Sequence, residues 1–258
     1  MKVALITGAS SGIGKEIAVR LLADGYYVAV TGRNMKKLEE AYTSIDAGTT
    51  LLIEADATHP ESYTKCVEHT IKSFGRLDVL VNNVGGGTFG QTLQATTLAD
   101  WNASLSLNTT SVFFTTQAAL PYLIETKGVV INFSSVLASR PVAGLGPYSA
   151  AKAAVEMLTK SLALELAPKG IRVLCISPAT IQTGFHTSAG MTQEVANAYY
   201  MASSGTHPIG RIGQPQDISE LVAFLADNSK AGFMTGSVIH VDGGRLLTSS
   251  APALTKST

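Results

Sequence analysis

Short runs of branched and apolar residues recur along the chain at 3–7, 27–31, 51–54, 79–82, 129–133, 172–176 and 237–241. Each is close to continuously hydrophobic, not alternating, the pattern of a parallel strand covered on both faces. Helix-length segments separate them at 12–24, 35–45, 60–74, 98–123, 148–167 and 215–227. In the segment 148–167, Val155, Leu158, Leu162 and Leu166 follow at spacings of three and four, which places them on one helix face. Strand–helix alternation with right-handed crossovers predicts one α/β domain: a doubly wound parallel sheet of about seven strands with helices on both faces. No linker or charge run divides the chain, so the domain is expected over 1–248, with a polar tail at 249–258. The stretch 182–208 is Ser/Thr-rich and is expected to be an irregular insertion.

Composition narrows the function classes. The 258 residues carry 19 basic and 19 acidic side chains, with 45% hydrophobic and 15% charged residues. This balance excludes a basic stripe able to hold nucleic acid and describes an ordinary core-forming chain. The low charge fraction points to surface buried in an oligomer. Cys66 and Cys175 are too few for a disulfide scaffold, and the five scattered histidines show no metal-ligand spacing, so no metal is expected. The uncharged stretch 101–124 contains Asn102, Asn108, Thr115, Thr116 and Gln117, a polar density that suits a helix buried between protein surfaces and not one in lipid. The apolar run after Lys2 is shorter than a secretory core segment, and a cytosolic protein is expected.

The first strand runs into Thr7-Gly8-Ala9-Ser10-Ser11-Gly12-Ile13-Gly14 and then a helix. Glycines there let the backbone turn sharply and approach a pyrophosphate, whose charge rests on the helix N-terminus. The context of strand, glycine turn and helix predicts a Rossmann fold that binds a dinucleotide. At the end of the second strand stand Gly32 and Arg33, with no acid to accept from a ribose 2′-hydroxyl. An arginine suits a 2′-phosphate, so NADP(H) is favoured over NAD(H).

Tyr148 and Lys152 are four residues apart on a helix, so ammonium and phenol share a face. A nearby cation favours the phenolate of a group that ordinarily ionises near 10, which is the tuning that acid/base chemistry requires. Alone, this pair would be weak evidence.

It does not stand alone. Thr7–Gly14, Asp56, Asn82-Asn83-Val84-Gly85, Asn108, Ser134-Ser135, Tyr148 with Lys152, and Pro178 to Thr183 occur in that order. The whole chain resembles the short-chain dehydrogenase/reductases, and in particular their 3-oxoacyl-[acyl-carrier-protein] reductase-like members. The resemblance implies that Ser135, thirteen residues before the tyrosine, is the catalytic serine, with Tyr148 as proton donor, Lys152 also on the nicotinamide ribose and Asn108 in a proton relay. By the same resemblance Gly8, Ser10, Ser11, Gly12, Ile13 and Gly14 hold the pyrophosphate end. Asp56 and Ala57 meet the adenine, Asn83 and Gly85 the ribose region, and Pro178, Ile181 and Thr183 the nicotinamide carboxamide. Three departures stand out: Val84 where the family has alanine, Ala179 where it has glycine, and a bare Gly85-Gly86-Gly87 expected to widen or loosen one rim of the pocket.

The expected reaction is hydride transfer between nicotinamide and a carbonyl/secondary alcohol pair, on a ketone or 3-oxoacyl substrate. An NAD-dependent alcohol, polyol or sugar dehydrogenase of the same family is the alternative, and a non-catalytic NADP(H) sensor is the alternative from another class. Epimerases and dehydratases of the extended relatives need a larger C-terminal region, and in enoyl reductases the lysine usually lies further from the tyrosine. A lid at about 184–208 carries Phe185, Met191, Tyr199, Tyr200 and Met201, which suit an apolar or acyl chain. The family expectation is a homotetramer, or a homodimer, acting on a small molecule with no membrane partner.

Overall fold

Strand β1 (Val3–Ile6) is four consecutive apolar residues, all buried, and it sits in the middle of the sheet. The computed structural model describes residues 1–88, 90–188 and 190–248. β2 (Tyr27–Gly32), β3 (Thr50–Glu54), β4 (Val79–Asn82), β5 (Val129–Phe133), β6 (Arg172–Pro178) and β7 (Val238–Val241) complete a parallel seven-stranded sheet in the order β3-β2-β1-β4-β5-β6-β7. Side chains alternate between two cores. Ala4, Ile6, Val28, Val30, Val79, Val81, Ile131 and Leu174 face one, while Leu5, Ala29, Leu80, Val130 and Val173 face the other. This alternation explains the unbroken hydrophobic runs: both faces are covered, so both sets of positions are apolar.

Helices α1 (Gly12–Ala23), α2 (Met35–Tyr42) and α9 (Pro215–Ala226) cover the first face through Ile17, Leu21, Leu38, Ile218 and Val222. Helices α3 (Glu61–Phe74), α5 (Ser111–Thr126) and α6 (Gly146–Leu166) cover the second through Val67, Leu123, Leu162 and Leu166. This is the doubly wound single domain that the pattern predicts. The chain reverses its direction of travel across the sheet between β1 and β4, and a crevice opens there at the carboxyl ends of the strands.

Two elements differ from the sequence expectation. The segment 98–123 is not one helix: α4 (Leu98–Leu105) and α5 are joined by a π-helical turn over Ser106–Thr110. The Ser/Thr-rich stretch 182–208 is largely helical, with a short α7 (Phe185–Ser188) and a twelve-residue α8 (Gln193–Ser204). Thr192 caps α8 by accepting from the Val195 N–H, and Glu194 stands in its first turn where the helix dipole favours an acid. The polar composition that reads as loop is that of a cap. A short α10 (Asn228–Ala231) follows α9. No helix among the described residues is long and apolar enough to cross a membrane. The expected polar tail at 249–258 lies outside the described residues.

Candidate active site

The turn after β1 is built to admit another molecule's backbone-sized groups. Gly8 and Gly12 have φ of +67° and +58°, a region that disfavours side chains. A Cβ on Gly14 would lie 2.5 Å from Asn83 Nδ2 and 2.6 Å from the Gly8 carbonyl, so the helix packs against the β4 loop only as glycine. Asn83 Nδ2 donates to the carbonyls of Thr7 and Gly8 at 2.9 and 3.0 Å, and Tyr42 donates its phenolic proton to the Ala9 carbonyl at 2.8 Å. Ser11, the N-cap of α1, makes no side-chain cap bond, so its hydroxyl does not occupy the first-turn N–H groups, the kind of donors that hold an anion at a helix N-terminus. This cradle fits a dinucleotide pyrophosphate.

Beside it, Gly32 lies under Ser10, whose Cβ would be 3.3 Å from a Cβ at Gly32, and Arg33 is exposed at the strand end. Asp56 accepts from the Thr58 N–H and hydroxyl at 2.9 and 2.8 Å. Partial burial works against its charge. The two Thr58 bonds, with Arg33 and His59 nearby, outweigh that and hold the carboxyl below its usual range. Sequence reasoning missed one acid here. Glu54 pairs with Gly32 across the β2–β3 register, and its carboxylate accepts from the Met35 N–H at 3.4 Å. It belongs to a different strand from Arg33, so a search along β2 does not find it.

The reactive end lies across the crevice. Pro147 sits in the first turn of α6, where its missing N–H is harmless, and delivers Tyr148 and Lys152 to the carboxyl ends of β5 and β6. The Ser135 hydroxyl stands close enough to the Tyr148 phenol to favour its ionised form. Lys152 is 2% exposed, donates to the Phe133 carbonyl at 2.9 Å and stands 5.8 Å from the Tyr148 ring centre. Burial pushes the phenol up to about 12, with the nearby Ser135 hydroxyl acting the other way. Burial also draws the Lys152 ammonium down to about 8, opposed by Cys175. Neighbouring Ser134 is engaged elsewhere: its hydroxyl lies 3.0 Å from the Lys152 carbonyl and 2.9 Å from Glu156 Oε1. Ser135, not Ser134, therefore faces the tyrosine.

Asn108 sits inside the π-helical turn and is fully buried. Its amide clasps Gly86, donating to the Gly86 carbonyl at 2.8 Å and accepting from the Gly86 N–H at 3.1 Å. A Cβ on Gly85 would lie 2.8 Å from Lys152 Nζ and 3.0 Å from Asn108 Oδ1, and one on Gly87 would lie 3.0 Å from the Tyr148 ring. The glycine run is thus filled, not loosened: its missing side chains make room for Tyr148, Lys152 and Asn108. Beneath it runs a buried polar chain. Asn82 Nδ2 donates to Thr116 and to Asn132, and Asn132 donates to Thr159, at 3.0, 2.9 and 3.0 Å. Asn132, formally a glycosylation sequon in sequence, is a rung between sheet and helices.

The third side is the segment after β6. Ile181 bridges to Gly213, where a Cβ would come 2.3 Å from Ile181 Cδ1, and Thr183 packs 3.2 Å from a Cβ at Gly12. Thr183 is also tied to α8: Tyr200 donates to its carbonyl at 2.5 Å and meets His186 Nδ1 at 3.0 Å. The Phe185 ring stands 6.3 Å from that of Tyr148. The structure thus brings Asn108, Ser135, Tyr148 and Lys152 together, and lays Gly8 to Gly14, Asn83, Gly85, Ile181 and Thr183 along one crevice, with Pro178 ending β6 and Asp56 and Ala57 following β3. Gly213 is a part of the site that sequence reasoning did not single out.

A family model described as enoyl-(acyl carrier protein) reductase matches residues 8–245. The (2S)-[(R)-hydroxy(phenyl)methyl]succinyl-CoA dehydrogenase subunit BbsD of Thauera aromatica is 36% identical, over 95% of this chain and 97% of its own. A short-chain dehydrogenase/reductase of unknown function from Caenorhabditis elegans, solved with cofactor, superposes with a TM-score of 0.92 at 33% identity over 96% of both chains. The chain belongs to the short-chain dehydrogenase/reductase family. It is an oxidoreductase of that family and resembles its 3-oxoacyl-[acyl-carrier-protein] reductases: the one from Brucella melitensis, solved with NADH, gives a TM-score of 0.86 at 32% identity over 95% of this chain and 98% of the other.

Proposed function

We propose that this short-chain dehydrogenase/reductase is an NADP(H)-dependent reductase of a ketone or a 3-oxoacyl thioester. The observation that carries the reading is the convergence of Ser135, Tyr148, Lys152 and Asn108 around the bare Gly85–Gly87 strip. When bound, the nicotinamide supplies or accepts the hydride. A phenol held near 12 is protonated at neutral pH, and Tyr148 is therefore ready to give its proton to the carbonyl oxygen, the state from which reduction begins. Ser135 donates a hydrogen bond to the same oxygen. The Lys152 ammonium, fixed by the Phe133 carbonyl, stabilises the phenolate that remains and reaches the ribose. Asn108 holds the Gly86 backbone in place behind Lys152 and takes part in reprotonation.

Gly8, Ser10, Ser11, Gly12, Ile13 and Gly14 hold the pyrophosphate, Asp56 and Ala57 the adenine, Asn83 and Gly85 the ribose region, and Pro178, Ile181 and Thr183 the carboxamide. Arg33 beside Ser10 takes a 2′-phosphate. The Glu54 carboxylate at the same edge, and the NADH in the Brucella melitensis relative, favour NAD(H) as the second reading. The Tyr148–Lys152 spacing supports 3-oxo over enoyl reduction despite the description of the family model. Residues 184–208 form the substrate lid of a domain spanning 1–248. Exposed Phe113, Phe114 and Met157 on α5 and α6 support assembly as a homotetramer or homodimer, and two free, buried cysteines suit the cytosol.

The test is a thermal-shift titration with NADPH and NADH on the wild type and on Tyr148→Phe, followed by ketone and 3-oxoacyl thioester turnover. Stabilisation by about 2.7 kcal/mol is expected at a hundred times the dissociation constant. The variant is expected to keep that response and to lose activity by roughly 10²–10⁴-fold. Turnover within a few fold of wild type would end the proposal, and a larger response to NADH would move it to the second reading.

A further inference from the structure

Two arginines meet at the rim of the lid with no acid between them. Arg140 lies five residues after Ser135, in the loop that follows β5, and Arg245 follows β7. Arg140 Nη1 donates to the Arg245 carbonyl at 2.5 Å, and both guanidinia reach the Thr248 hydroxyl, at 3.4 and 3.1 Å. Both side chains are partly buried. Among the described residues neither takes part in an ion pair. Asp242, three residues before Arg245, is used up by the backbone: its two oxygens accept from the Gly244 and Leu246 N–H groups at 3.0 and 2.9 Å.

The pair is linked to Tyr148 through the segment 185–206. Thr248 donates to the Thr206 carbonyl just beyond α8, and Tyr199 of α8 is within electrostatic reach of Arg245. The Tyr199 ring lies tilted 4.6 Å from that of His186, whose neighbour Phe185 stands 6.3 Å from the Tyr148 ring. Two adjacent, partly desolvated cations repel, and burial together with Arg140 pulls Arg245 below its usual value. An oxyanion that presents two adjacent oxygens relieves that repulsion and matches the guanidinium fork.

We infer that Arg140 and Arg245 form a subsite for an anionic group, a carboxylate or a phosphate, carried by the carbonyl substrate at a distance from its reacting carbon. The inference rests on the reductase reading for its catalytic arm only. In that arm, a 3-oxoacyl N-acetylcysteamine thioester ending in a carboxylate is compared with its methyl ester, and the corresponding coenzyme A thioester with the neutral N-acetylcysteamine thioester. The first pair reports a carboxylate and the second a phosphate. Wild type is expected to favour the anionic member of one pair by about 10- to 100-fold in kcat/KM, the size of one or two charge-assisted hydrogen bonds. Arg140→Gln and Arg245→Gln are each expected to remove most of that preference while leaving the neutral substrate unaffected.

The second arm needs no turnover. With the cofactor site saturated by NADPH, glutarate and tripolyphosphate are titrated against the melting temperature of wild type and of both variants. A rise seen in wild type and lost in the variants supports the subsite. Absence of a rise with either anion, or a rise that both variants keep, overturns it, as does an anionic preference that survives both substitutions. Loss of all turnover with the anion response intact would instead sink the reductase reading and leave the subsite standing.

Discussion

Replacing Lys152 by methionine is expected to make the protein more stable and inactive. Lys152 is 2% exposed, its nearest polar partner is one backbone carbonyl, and its ammonium is drawn from 10.5 to about 8. At 1.36 kcal/mol for each tenfold change, that gap corresponds to roughly 3 kcal/mol of penalty for folding the charged side chain. Methionine has similar length and no charge, and it leaves the Phe133 carbonyl short of a donor at about 1 kcal/mol. The net expectation is a gain of about 1–2 kcal/mol at pH 7, or roughly 3–6 °C in melting temperature for a chain of this size. The pH dependence identifies the cause. Below pH 8 the lysine is protonated in both folded and unfolded chains, and the penalty is fully present. Between about 8 and 10.5 the unfolded chain binds more protons, so wild-type stability rises with pH and the gap to Lys152→Met closes. The Tyr148 phenol, raised to about 12, lowers stability from pH 10 upward in both proteins and drops out of the comparison. Melts of both proteins without cofactor at pH 7, 8.5 and 10 decide the matter. A variant that melts at or below wild type at pH 7, or a gap that does not shrink by pH 10, refutes the reasoning.

Ser134 and Ser135 should separate cleanly. Ser134→Ala loses the contacts to Glu156 and the Lys152 carbonyl, so about 1 kcal/mol of stability goes while most activity stays; Ser135→Ala should cut kcat by roughly a hundredfold with little change in melting. Gly85→Ala pushes a methyl group to 2.8 Å from Lys152 Nζ, and turnover is expected to fall at least tenfold, with cofactor affinity measured alongside by fluorescence titration. In Gly213→Ala the methyl group meets Ile181 Cδ1 at 2.3 Å, so the Ile181 side chain must shift two residues before Thr183, and the cofactor dissociation constant is expected to rise severalfold. Unchanged binding there would mean that the 181–183 segment does not touch the cofactor.

The sheet was legible because its chemistry is one-dimensional. Ala4 and Ile6 point to one core and Leu5 to the other, both cores are lined by buried apolar side chains, and the run of apolar letters follows from that. Tyr148 and Lys152 were legible for the same reason: a helix converts a spacing of four into a shared face. What escaped was everything that depends on a second segment. Glu54 meets α2 only through the β2–β3 register, and Gly213 is a glycine because Ile181 crosses it. Gly86-Gly87 looked like slack because the partners that fill the space, Asn108 and the Tyr148 ring, lie 22 and 61 residues away in sequence.

The π-helical turn at Ser106–Thr110 ties these observations together. An unbroken α-helix from Leu98 would carry Asn108 in regular register, and nothing in the composition of the segment marks the extra residue. In the structure the widened turn lets Asn108 donate to the Ser104 carbonyl and to Gly86 at once, while Thr109 donates to the Ala151 carbonyl beside Lys152. The helix gives up regularity at the one point where its side chains must hold both the glycine strip and the lysine helix, as such bulges do at functional sites. A buried lysine keeps its low proton affinity only while the groups around it hold their places, because a wall that gave way would let it relax toward water and regain its ordinary affinity for a proton. The clasp on Gly86 and the low proton affinity of Lys152 therefore belong together, and the pH-dependent gap between wild type and Lys152→Met reads the second directly.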